Sequence, residues 1–107
     1  MALGFGVYGE FEAAKRKLRR VAPPRYPVFV RRCPLLPNEG GDCDLRERGK
    51  FKKFLIRINN SLDETSAVLL LMHEWAHCLA WRDTPCHGKK WASAYSRVYQ
   101  VIGTNGE

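Results

Sequence analysis

Apolar positions along the chain fall into periodic blocks separated by proline, glycine and polar turns. Phe11, Ala14, Leu18 and Val21 recur at steps of three, four and three, with basic residues between them. That period predicts an amphipathic helix from about Glu10 to Arg20. Pro23, Pro24 and Pro27 stop it, because a prolyl ring disfavours helical geometry in the residue before it. Tyr26 to Arg32 is rich in β-formers and predicts an early strand, placed at a sheet edge by Pro27. Asn38-Glu39-Gly40-Gly41 reads as a turn, and Asp42 to Arg46 as a second short strand. From Phe54 the pattern alternates: Phe54, Ile56 and Ile58 lie on one face, Arg57 and Asn59 on the other. This is a strand with one buried side.

Ser61-Leu62-Asp63-Glu64 has the form of a capping box, in which the Ser61 hydroxyl and the Glu64 carboxylate satisfy the first amides of a helix. That helix should run to about Ala80 or Trp81. Being apolar nearly all round from Val68 to Met72, it is expected in the core. Arg82 to Gly88 reads as a loop punctuated by Pro85 and Gly88. Trp91, Tyr95, Val98 and Ile102, at steps of four, three and four, predict a last amphipathic helix ending near Gly103. The expectation is an α+β fold: an N-terminal helix, a short three-stranded sheet, a long helix, a loop and a C-terminal helix.

With 107 residues there is material for one domain, residues 1–107, with one modest core and one site. A composition 45% apolar and 27% charged is that of a globular chain, which sets aside disordered and fibrous classes. The longest apolar run, Ala67 to Met72, falls far short of the roughly 20 residues that span a bilayer. The stretch Met1 to Glu10 lacks a basic region followed by an apolar one, so it does not read as a signal peptide, and a cytoplasmic location is expected. Cys33, Cys43, Cys78 and Cys86 are then expected reduced. No two of them have C-x-x-C spacing, and all but Cys86 read as packing residues.

The formal charge of +7 is concentrated: 14 of the 18 Lys and Arg residues precede Asn59. Lys15, Arg16, Lys17, Arg19, Arg20, Lys52 and Lys53 are candidate contacts for a nucleic acid, which basic patches attract through counterion release. The competing reading is a solvated helix face and an exposed strand.

The chemistry is concentrated in His73-Glu74-Trp75-Ala76-His77. On an α-helix, residues four apart project from one face, so both imidazoles can converge on one ion. Glu74 can reach toward a metal-bound water instead of the metal. Zinc held by neutral ligands lowers the pKa of that water toward about 7 and polarises a carbonyl. Glu74, as general base, would take the proton and pass it to the leaving amine. The alternative, two core histidines beside a solvated Glu74, buries polar rings on the most apolar helix at a desolvation cost.

A catalytic zinc needs a third protein ligand and an open position. His87, the remaining histidine, is the first choice. Cys86 is a competing ligand, and Asp83 either competes or orients a ligand histidine. Tyr95 and Tyr99 are candidates for stabilising an oxyanion, although their spacing is that of core residues. The expected function is a zinc-dependent metallopeptidase holding one catalytic Zn2+. The alternative is a non-catalytic, zinc-stabilised module that binds nucleic acid or protein.

His73-Glu74-Trp75-Ala76-His77, then His87-Gly88-Lys89-Lys90-Trp91, then Tyr95-Ser96-Arg97-Val98-Tyr99, resembles the metal core of the SprT-like, Spartan-related zinc metalloproteases. The similarity runs from about Phe54 to Ile102, and the H-G-x-x-aromatic element is its most specific part. It is closest in form to the minimal proteins of this family encoded by phages and bacteria. The resemblance implies a small zincin-like domain, His73, His77 and His87 as ligands, and Glu74 as the catalytic carboxylate. It also implies protein substrates, in several members proteins attached to DNA, and a bacterial cytoplasm as the setting for a phage-encoded member.

Overall fold

A computed structural model describes residues 10–81 and 88–103. Its elements follow the expected order: α1 (Glu10–Val21), β1 (Val28–Cys33), β2 (Gly41–Arg48), β3 (Phe51–Asn59), α2 (Glu64–Leu79) and α3 (Lys89–Gly103). Three helices and one three-stranded sheet make this an α+β fold. No described helix is long and apolar enough to cross a membrane.

The strand order is β1-β3-β2, with β1 parallel and β2 antiparallel to β3. β1 is therefore an edge strand, as Pro27 predicts. β2 is the other edge. The tight β2–β3 turn contains Gly49 at φ 60°, a left-handed conformation that costs glycine little. A second glycine is required by space: a Cβ on Gly41 would sit 2.6 Å from the Arg57 carbonyl oxygen. β2 and β3 both extend beyond their expected limits because the hairpin register continues to Arg48 opposite Phe51.

The alternation in β3 decides which face of the sheet is covered. Phe54, Ile56 and Ile58 are buried and join Phe11, Leu18, Leu71, Trp75 and Val98 in one core. Arg57 lies on the opposite face, with Asp42 of β2 as its ion-pair partner. Asn59 departs from the expected pattern. It is buried, and its side-chain amide donates to the carbonyls of Leu36 (3.2 Å) and Glu39 (2.8 Å), tying the β1–β2 connection to the end of β3. A buried amide is tolerated because its hydrogen bonds are made.

The start of α2 also differs from the sequence pattern. Asp63, rather than Ser61, is the N-cap, accepting from the Ser66 amide at 2.7 Å. Ser61 donates instead to the Asn59 side chain. Glu64 leaves its own helix and accepts the Phe11 amide at 2.7 Å, capping the first turn of α1 across 53 residues. Helix-start amides lack intrahelical partners, and a carboxylate from a neighbouring element satisfies one as well as a local side chain does.

The other end of α1 is held by two donors. The Trp75 indole donates to the Ala22 carbonyl at 2.8 Å, and Arg97 of α3 donates to the Val21 carbonyl at 3.1 Å. These bonds fix α1 against both later helices. The expectation that α2 is buried all round holds for Val68, Leu71 and Met72, whereas Leu69 is 47% exposed. So small a protein has too little surrounding structure to close completely around a helix.

Candidate metal centre on helix α2

Two faces of α2 carry different chemistry. Ala67, Val68, Leu71, Trp75 and Cys78 enter the core, which fixes the rotation of the helix. With that rotation set, His73 and His77 fall on a half-buried side, where their Nε2 atoms lie 3.2 Å apart. The rings meet nearly edge to face, with centroids 4.9 Å apart and planes at 71°.

Trp91, at the start of α3, covers this pair. Its ring centroid is 5.1 Å from that of His73 and 5.6 Å from that of His77. The indole N–H donates to the His73 carbonyl at 3.4 Å. Trp91 was legible in the sequence as an apolar position of the last helix. Its contact with both imidazoles depends on how α3 packs against α2. Tyr95 stacks on Trp91 at 5.1 Å with planes within 10°, and Tyr99 continues the row at 6.5 Å from Tyr95. Tyr99 is 58% exposed. In this arrangement Tyr95 supports Trp91.

Glu74 is buried, with 6% of its surface exposed. Burial pushes its carboxyl up to about 7, and the Asp42 carboxylate adds to the effect. A carboxyl held near neutrality can exchange a proton in either direction at physiological pH. Asp42 itself is held below the usual carboxylate range by the hydrogen bond from Arg57.

The donor spacing can be compared directly with a zinc site. Two zinc–nitrogen bonds of about 2.0–2.1 Å meeting near the tetrahedral angle hold their nitrogens roughly 3.3 Å apart. The 3.2 Å between the Nε2 atoms matches this. The same spacing also suits a hydrogen bond between two neutral rings in the metal-free chain. Among the described residues no group of three His, Cys, Asp or Glu side chains forms a ligand cluster. His87, Cys86 and Asp83, the sequence candidates for the third position, lie outside the described residues. No family model, curated protein or solved structure matches the chain.

The candidate nucleic-acid contacts are distributed over two elements. On α1, Lys15 pairs with Glu12 at 2.8 Å and Arg19 donates to the Val28 carbonyl at 2.7 Å, while Arg16 and Arg20 are exposed. Lys17 is half-buried. Lys52 and Lys53 are neighbours on β3 and so project to opposite faces of the sheet. Lys52 lies over the Tyr26 ring at 5.6 Å, and Lys53 lies over Phe29 at 4.5 Å. They do not form one patch.

Proposed function

We propose that this chain is a zinc-dependent peptidase of the SprT-like type, with His73, His77 and His87 as ligands and Glu74 as general base. The observation that carries this reading is the 3.2 Å convergence of two imidazole nitrogens on a helix whose next residue is a buried carboxyl. Both sides of that helix are constrained, one by the core and the other by Trp91. Such packing supports a preorganised pair of ligands, which minimises the reorganisation needed when an ion binds.

Zinc, when bound, supplies a Lewis acid and a coordinated water of lowered pKa. The chain's own contribution is positional and protonic. His73 and His77 present neutral nitrogens from successive turns, and Trp91 limits the rotation of both rings. Glu74 would take up a proton from the attacking water and return it to the departing amine.

The test combines metal analysis with a peptidase assay on a denatured protein substrate. One zinc per chain is expected, retained in Glu74→Gln, with turnover falling by about 10²–10⁴-fold. Full activity in that variant, or no zinc in either protein, would overturn the reading.

A second reading draws support from the +7 charge: a zinc-stabilised module that binds a polyanion without chemistry. On that reading, removing zinc unfolds the chain, and nucleic-acid binding weakens steeply with salt and ignores Glu74. The two readings meet if the peptidase acts on nucleic-acid-associated proteins. In that case both the salt dependence and the Glu74 dependence are observed in one protein.

A further inference from the structure

Cys43 and Cys78, which the sequence presents as packing residues, come together across 35 positions of chain. Their sulfur atoms are 3.0 Å apart. Cys43 lies in the edge strand β2, half-buried, at the position paired with Ile56. Cys78 is buried on α2, directly after His77 and one turn beyond Glu74.

We propose that Cys43 and Cys78 are a disulfide-forming site, cross-linked by a hydroperoxide, and that the bridge fastens β2 to the core side of α2. The inference is independent of the peptidase reading, because it needs neither metal nor activity.

Among the described residues the other cysteine, Cys33, is remote from Cys43. Cys33 pairs in register with Asn59 on the far side of β3, so β3 separates it from Cys43. Two strand spacings make that separation on the order of 10 Å, beyond disulfide reach. Between Cys43 and Cys78 about 1 Å of approach forms an ordinary sulfur–sulfur bond, a distance that side-chain rotation supplies. The more accessible sulfur reacts first. Cys43 attacks one oxygen of the hydroperoxide, the O–O bond breaks, Cys43 becomes a sulfenic acid, and the departing oxygen leaves as alcohol or water with the thiol proton. Cys78 then attacks the Cys43 sulfur. The S–S bond forms, the S–O bond breaks, and the hydroxyl leaves with the Cys78 proton as water. Two thiols have given up two electrons, and one hydroperoxide has been reduced.

The bridge closes a long loop and ties down an edge strand that otherwise pairs on one side only. Treating the reduced full-length chain with one equivalent of hydrogen peroxide tests this, followed by thiol titration under denaturing conditions and a non-reducing peptide map. Two of the four thiols should disappear, a Cys43–Cys78 linked peptide should dominate, and dithiothreitol should restore all four. The thermal midpoint of the oxidised chain should rise by on the order of 10 °C. Cys43→Ser should prevent the cross-link while leaving the midpoint of the reduced chain nearly unchanged; Cys78→Ala provides the reciprocal variant. A dominant link through Cys33 or Cys86, disulfide-bonded dimers, or sulfinic acid on Cys43 without a bridge would each overturn the proposal.

Discussion

The two sides of α2 are both turned toward protein and yet are built on different principles. The side carrying Leu71, Trp75 and Cys78 is apolar and closely packed, and the one indole N–H it buries has the Ala22 carbonyl as its partner. The side carrying His73 and His77 is half-buried and, among the described residues, lies against the ring of Trp91. The first side holds the helix in place by burial, a non-directional force proportional to apolar area. The second uses that fixed rotation to aim two nitrogens at one point. In a small domain, a site of this kind depends on the core behind it to set the rotation of the helix.

The largest effect should come from damaging the packed side. Trp75→Ala is expected to cost about 3–5 kcal/mol, combining a cavity with an orphaned carbonyl at the end of α1. Urea unfolding of the metal-free chain measures this, with Trp75→Phe as the milder variant that removes the donor and keeps a smaller ring. If Trp75→Ala cost under about 1 kcal/mol, the division of labour between the two sides would fail. Trp91→Leu probes the other side. Zinc affinity should fall by about 10-fold, the lower end for partners that orient ligands, with much less loss of stability than Trp75→Ala. Competition with a chelator reads the affinity, and unchanged zinc binding would show that Trp91 merely covers the rings.

The smallest effect belongs to the N-cap, which anchors both sides at once. The Asp63 carboxylate is held below its ordinary value of 3.8 by hydrogen bonds from Ser66. A lowered carboxylate contributes stability that is present above its unfolded pKa and lost as pH falls through the folded value. Asp63→Ala should therefore lower the thermal midpoint at pH 7, and the gap from the native chain should close on acidification below 3.8. A gap that stays constant down to pH 2 would show that the cap acts without its charge.

Much of the fold was legible because periodicity records burial directly. Phe54, Ile56 and Ile58 alternate in the sequence and are all buried on one face of β3. The steps Phe11, Ala14 and Leu18 mark the buried stripe of α1. What misled the reading were polar residues with more than one available partner. Glu64 fits a local capping box, yet caps α1 instead. Asn59 alternates like an exposed residue, yet is buried under the connection before β2. A side chain that forms hydrogen bonds takes whichever donor the packing brings near, and sequence spacing reveals only the local ones.

The candidate site divides along the same line. The sequence by itself determined that His73 and His77 share a helix face and that Glu74 sits beside them, because helical geometry converts a spacing of four into proximity. Only the tertiary structure decided that Trp91 covers both rings, that Glu74 is buried enough to be raised to about 7, and that Cys43 meets Cys78. Each of those facts depends on contacts between elements. Such contacts are set by how hydrophobic faces pack against one another, a global balance that no short stretch of sequence contains.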